Sequence, residues 1–278
     1  MRNATHAAKR HLIWVPLTAI IIWSAIPLVW SVASSFKSRA DFSLSPPPFF
    51  PTQPTTSAYS GILGDSEFWR YSANSLTIAL SSTILAILVS SLAAYGFARY
   101  AFAWRHVLLL FFLIPKLVPR VSLISPIYQM VQSVGMLDTR SALIVVYTGM
   151  SIPLATWIMI GFIGSIPRGL DEAAKIDGAS VLQVFFRIIV PLSVPGLLTI
   201  AVMSFQSAWN EFPFVLALTS SPEIRTLPYE LFLMNDSAGI ADYAAVQAFA
   251  LLTIIPILII YIRLEKYVVG GMTSGAMK

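Results

Sequence analysis

The chain has 278 residues, of which 56% are hydrophobic and 11% charged, with a formal net charge of +5 and no cysteine. A soluble domain carries about 25% charged residues, so 18 basic and 13 acidic side chains are too few for an ordinary soluble enzyme, a coiled coil or a disordered chain. The missing cysteines exclude disulfides, thiolate catalysis and cysteine–zinc sites.

Apolar runs of about 18 or more residues without charge read as membrane spans. The first, Leu12–Phe36, follows Arg2, Lys9 and Arg10. This start imitates a secretory signal, but its apolar run exceeds the roughly 7–15 residues of a signal core and reads as an uncleaved anchor. The segment 37–70 contains Pro46–Pro48, Pro51 and Pro54, which fix an extended path, so it is a surface loop serving as spacer or docking element. Tyr71–Ala98 is the second run. Val107–Met130 is apolar but interrupted by Lys116, Arg120, Pro115, Pro119 and Pro126. It reads as a broken third span whose charges must face protein, water or the outer interface. Ser141–Pro167, Ile188–Asn210 and Tyr243–Ile262 complete the set. The expected spans are 12–36, 72–98, 107–130, 141–165, 188–210 and 243–263, within one transmembrane domain over 1–278. A loop at 166–187 precedes the fifth span, and an acidic loop at 211–242 with Pro213, Pro222 and Pro228 follows it.

An even number of spans returns both termini to one side, and the distribution of basic residues says which. The terminal side holds 11 basic residues: Arg2, Lys9, Arg10, Arg99, Arg105, Arg168, Lys175, Arg187, Arg263, Lys266 and Lys278. The other side holds five (Lys37, Arg39, Arg70, Arg140, Arg225) and most of the acids. Both termini are therefore expected in the cytoplasm.

The cytoplasmic loop Ile166–Pro195 has the clearest local signals. Pro167 suits a helix start, Asp171 and Glu172 in the first turns complement the helix dipole, and Gly178 supplies a left-handed stop. Ser180 with Gln183 three residues later forms a capping box for a second helix. The spacing predicts a helix over Arg168–Asp177, a glycine turn and a second helix, displayed at the membrane surface with Leu170, Ala173, Ala174 and Ile176 as a slim apolar face. No metal-ligand spacing is formed by His6, His11 and His106, and no catalytic cluster is present in the sequence pattern.

Glu172-Ala173-Ala174, two residues, then Asp177-Gly178-Ala179 resembles the EAA motif of binding-protein-dependent ABC importer permeases. Phe186-Arg187-Ile188, Pro191-Leu192 and Pro195-Gly196 follow at the family's spacing. Weaker similarity extends through Ala93–Arg99, Pro126–Tyr128, Gly135–Thr139 and Ala208–Glu211. The tail Gly270–Lys278 is similar to that of the carbohydrate-uptake branch, in particular its maltose-type second permease.

The resemblance implies an all-α polytopic membrane protein with six transmembrane helices and a cytoplasmic coupling helix. It implies a permease for a sugar or sugar derivative, paired with a second homologous permease. Two cytoplasmic ATPase subunits would bind below and an extracytoplasmic substrate-binding protein would deliver from above, all within a lipid bilayer and without nucleic acid. Glu172, Ala173, Ala174, Asp177, Gly178 and Ala179 would be the ATPase-coupling residues. The sequence has no GxxxxGK[ST] phosphate loop, so ATP and Mg are expected on the ATPase partner and no cofactor on this chain. Lys116, Arg120, Gln206, Trp209 and Asn210 are the candidate pathway-lining residues. Helix packing, interfacial anchoring and snorkelling to the headgroups compete for these positions. Rival readings are an ABC permease for a phosphorylated polyol such as glycerol phosphate, or a stand-alone secondary transporter. The latter should carry coupling-ion carboxylates inside its spans, and these runs have none.

Overall fold

The computed structural model describes the backbone of residues 2–236 and 242–274, and the side chains of residues 14–235 and 242–264. The glycine-bearing end of the tail at 275–278, and the side chains of His6, His11, Asp236 and Lys266, lie outside the described residues. All regular structure among the described residues is helical. Four helices are long and apolar enough to cross a membrane, and two bent pairs bring the count to six if each pair is one span.

The chain divides into two compact units. The first takes residues 1–68 and 231–254. It contains α1 (Arg2–Ser35), α2 (Arg39–Ser43), α3 (Ser57–Gly64) and the start of α4 (Ser66–Arg99). The proline-rich stretch between α2 and α3 is non-helical, as the missing donors require. The loop is not merely a solvated spacer, however. Lys37 and Asp41 are both buried. The ammonium of Lys37 lies 3.7 Å from the centre of the Trp30 ring and donates to Ser34 Oγ at 3.3 Å. Asp41 completes a capping box with Ser38 and accepts from Thr52. A buried charge persists only when it is paired or solvated by such groups.

The second unit takes residues 69–230 and 255–278. After α4 come α5 (Arg105–Leu113), 3₁₀ turns at Ile114–Lys116 and Arg120–Leu123, and α6 (Ile124–Ser133). The helices on either side of the break between Lys116 and Arg120 are bent by 98°, where Pro115 and Pro119 withdraw backbone donors. This is the broken third segment that the prolines predict. Next are α7 (Arg140–Ser165), α8 (Gly169–Ile176) and α9 (Val181–Val184). A π turn at Phe185–Ile189 runs into α10 (Val190–Leu192), followed by α11 (Val194–Trp209) and α12 (Pro213–Leu218). A further 3₁₀ turn at Pro222–Ile224 leads to α13 (Leu227–Asp236), and α14 (Tyr243–Ser274) ends the described chain; the parts of these two helices within 231–254 belong to the first unit. The apolar run 188–210 is not one straight helix. It turns by 79° between Leu192 and Val194, because Pro191 and Pro195 interrupt the ladder on both sides of Ser193.

Several hydroxyls inside α4 are satisfied locally. Ser82, Thr83 and Ser91 of α4 donate to carbonyls one turn back, which removes the cost of a free hydroxyl in an apolar medium. The core of the second unit joins Ala94, Tyr95 and Ala98 of α4 to Ala155, Met159 and Ile163 of α7. Val184, Phe185, Ile189 and Ile200 close it from the α9–α11 side. Small side chains at Ala94, Ala98 and Ala155 let the backbones approach closely. Gly196 makes the same kind of contact, since a Cβ there would lie 2.6 Å from Cγ of Phe162.

Candidate functional site

Two constructions within the second unit carry functional chemistry. One is the hairpin α8–turn–α9. Gly178 has φ +84°, the left-handed stop that its sequence position predicts. Ser180 accepts from the Gln183 amide at 3.3 Å while Gln183 Oε1 accepts from the Ser180 amide at 2.8 Å, so the predicted capping box forms.

The motif residues divide between two faces. Ala174 and Ala179 are half-buried and pack on the core that includes Tyr95, Met159 and Phe185. Glu172, Ala173, Asp177 and Gly178 are exposed. Beside them Ile176 is 86% exposed, and Leu170, Val181 and Leu182 are also exposed. The hairpin therefore leans on the core with two alanines and presents an apolar surface flanked by the carboxylates of Glu172 and Asp177.

One residue of this hairpin has a role that local reading misses. Asp171 is buried rather than displayed, and its Oδ2 lies 2.7 Å from Nε of Arg99 at the end of α4. Arg99 also donates to the Ile166 carbonyl at 3.1 Å, and Arg168 donates to the Ala98 carbonyl at 3.4 Å. The only sequence signal was an acid at a helix start, which the dipole alone accounts for.

The second construction is a cavity of about 340 Å³ between the broken third segment, α7 and α11. Lys116, Arg120, Gln206 and Asn210 all line it, joined by Ser151 and Ser204. Trp209 does not. It is buried and stacks on Phe205 with ring centres 5.4 Å apart, so the structure separates it from the other four. Arg120 Nη1 lies 3.4 Å from Glu211 Oε2, and its Nη2 donates to Ser207 Oγ at 3.2 Å. Glu211 is itself buried and accepts from the Phe214 amide at 3.3 Å. This carboxylate was counted with the outer loop in the charge pattern, and here it serves as the counter-ion of Arg120. Such an arrangement can offer hydroxyl, amide and cationic groups to a polar solute. No group of His, Cys, Asp and Glu capable of holding a metal occurs among the described residues.

The family described as the binding-protein-dependent transport system inner membrane component matches residues 86–273. The chain is 32% identical to the sulfoquinovosyl glycerol transport system permease protein of Agrobacterium fabrum, over 95% of this chain and 93% of that one. It is 33% identical to the trehalose/maltose transport system permease protein of Thermococcus litoralis, covering 97% of each chain. It is 35% identical to the galactooligosaccharides transport system permease protein of Bacillus subtilis, over 96% of this chain and 94% of that one. Among solved structures, a chain of a bacterial ABC transporter for the acidic polysaccharide alginate superposes with a TM-score of 0.80 at 22% identity, covering 92% of this chain and 95% of that one. That likeness shows the fold, which is helical throughout the described residues. By sequence, this chain belongs to the family of binding-protein-dependent transport system inner membrane components.

Proposed function

We propose that the chain is the permease subunit of an ATP-driven importer of a sugar or sugar derivative, loaded by an extracytoplasmic binding protein. The observation that carries the reading is the hairpin at Gly169–Val184, whose outer surface exposes Glu172, Ala173, Ile176 and Leu182 while its inner surface rests on the membrane core. An apolar helix face rimmed by a carboxylate fits a groove on a protein partner. The partner is a cytoplasmic ATPase, present as a pair of subunits, which supplies ATP and Mg. Glu172 meets a basic residue there, and Ala173 permits close approach. Asp177 and Gly178 shape the turn, and Ala174 and Ala179 transmit displacement to the core. Closure of the ATPases moves the hairpin, and the helices attached to it switch the pathway from inward- to outward-facing.

The pathway runs between this chain and a second homologous permease, with Lys116, Arg120, Gln206 and Asn210 on its wall. Both termini are cytoplasmic, in keeping with the excess of basic residues on that side. The relatives are transport permeases for sulfoquinovosyl glycerol, trehalose/maltose and galactooligosaccharides, which supports the same substrate class here.

Co-expression with a cognate ATPase, a second permease and a binding protein tests the assignment. Purification through this chain should recover a four-subunit membrane assembly of two permeases and two ATPases, whose ATP hydrolysis rises when loaded binding protein is added. Recovery of this chain as a transport-active lone monomer would overturn the reading.

A further inference from the structure

We propose that the cavity between the broken third segment, α7 and α11 selects a saccharide bearing an oxyanion, a carboxylate or a sulfonate, and that Lys116 holds that group. The inference rests on the pathway reading above.

Two cations line this cavity, Lys116 and Arg120, beside the neutral groups of Ser151, Ser204, Gln206 and Asn210. They are not equivalent. Arg120 is met by Glu211, which also accepts from the Phe214 amide and so stays in place. Lys116 has no carboxylate partner among the described residues. The described acids of this unit other than Glu211 are engaged or placed elsewhere: Asp138 holds Ser221, Asp171 holds Arg99 and Glu230 holds Arg225, while Glu172 and Asp177 sit on the α8–α9 hairpin and Glu223 in the 3₁₀ turn Pro222–Ile224. The runs that form α4, α7 and α11 contribute no carboxylate to the cavity wall.

A hydroxylated neutral sugar needs only hydrogen-bond partners, and serine, glutamine and asparagine suffice for it. An uncompensated ammonium at membrane depth is costly and marks function. Between low-dielectric walls it raises the local concentration of anions and lowers that of cations. The cavity therefore stabilises a solute that brings the missing negative charge.

The absence of cysteine from this chain provides the test. Gln206→Cys places a unique thiol of this chain in the cavity of the assembled complex. The probes are a sulfonate-bearing and a trimethylammonium-bearing ethyl methanethiosulfonate, with rates followed by the mass of this chain and normalised to a free thiol in solution. The expected result is that the anionic reagent reacts faster by roughly tenfold, that Lys116→Gln abolishes most of this preference, and that Lys116→Arg retains it.

A ratio near one overturns the proposal, because the ammonium is then neutralised from another chain. A preference that survives Lys116→Gln overturns the assignment to Lys116, and if that variant does not assemble, loss of the preference in Lys116→Arg does the same. Failure of both reagents to react, with and without ATP, would overturn the pathway reading itself, which separates the two failures.

Discussion

Arg99, the last residue of α4, closes on Asp171 in the first turn of α8, with Nε 2.7 Å from Oδ2 and only 6% and 7% of the two side chains exposed. The pair ties the proposed coupling helix to the end of a membrane helix, and Ile166 is drawn into the same knot. A rigid tie of this kind is what a displacement at α8 needs if it is to reach the core rather than dissipate in the loop. Removing one partner of a buried pair leaves a bare charge and costs about 3–5 kcal/mol. Asp171→Leu and Arg99→Leu should therefore each destabilise the purified assembly by about 3 kcal/mol, while the double variant Arg99→Leu/Asp171→Leu costs less than either single change. Denaturation of the four variants measures the cycle, and additive losses would show that the pair is not coupled.

Gly178 turns the hairpin at φ +84°, with nothing within 4 Å of where a Cβ would stand. The cost of a side chain is then purely conformational. Gly178→Ala should lose about 1–2 kcal/mol, and Gly178→Asn less, because asparagine tolerates the left-handed region. Melting of the two variants in the assembled complex distinguishes this order from a steric one, in which the larger side chain would be worse.

Gly196 presents the opposite case. Its φ is ordinary, but a Cβ would lie 2.6 Å from Cγ and Cδ2 of Phe162, the near part of the ring, which cannot swing aside as a flexible tip would. Gly196→Ala should destabilise by about 1–3 kcal/mol through overpacking. Phe162→Ala, which removes Cγ and the ring, should relieve most of that overpacking in the double variant, by the same melting assay.

Asp138 joins the loop before α7 to the loop after α12. It accepts from the Ser221 hydroxyl, from the Ser221 amide at 3.0 Å and from the Ser220 amide at 2.9 Å. The Ser221 hydroxyl is the main cause that holds its carboxyl below the ordinary value, with the two amides adding to it. A depressed folded-state value stabilises the fold above the unfolded pKa of about 4 and loses that contribution as pH falls through the lower folded value. The wild type should therefore show an acid-dependent loss of stability below about pH 4 that Asp138→Asn lacks. Asparagine suits the local φ of +57°, so the variant isolates charge from backbone strain. Equal pH profiles would refute the assignment.

What could be read from the sequence was local. The helix stop at Gly178, the capping box at Ser180 and Gln183 and the break between Lys116 and Arg120 each depend on a few adjacent residues, and each forms. The pairing of Arg99 with Asp171 joins residues 72 positions apart, and an acid in a first turn gives no sign of a distant partner. Trp209 is a pathway candidate because it lies near the outer end of the fifth span and an aromatic face can hold a sugar, but α11 is apolar on most sides, so periodicity does not tell its buried side from its cavity side. The turn at Ser193 was marked by Pro191 and Pro195, yet a charge count over 188–210 saw one continuous run. Lys37 enters the charge pattern as one of five basic residues of the outer side, and nothing adjacent in sequence signals that its ammonium lies over Trp30 and donates to Ser34.

The central claim is that ATP hydrolysed on a partner drives sugar import through the hairpin that displays Glu172. The most direct measurement is uptake of the sugar carried by the cognate binding protein into proteoliposomes holding the purified assembly, with ATP on the ATPase side. Wild type should show uptake that needs both ATP and binding protein, and Glu172→Lys should abolish it by reversing the charge at the ATPase surface while this chain remains in the membrane. Undiminished uptake in Glu172→Lys, or uptake by wild type without ATP, would contradict the account.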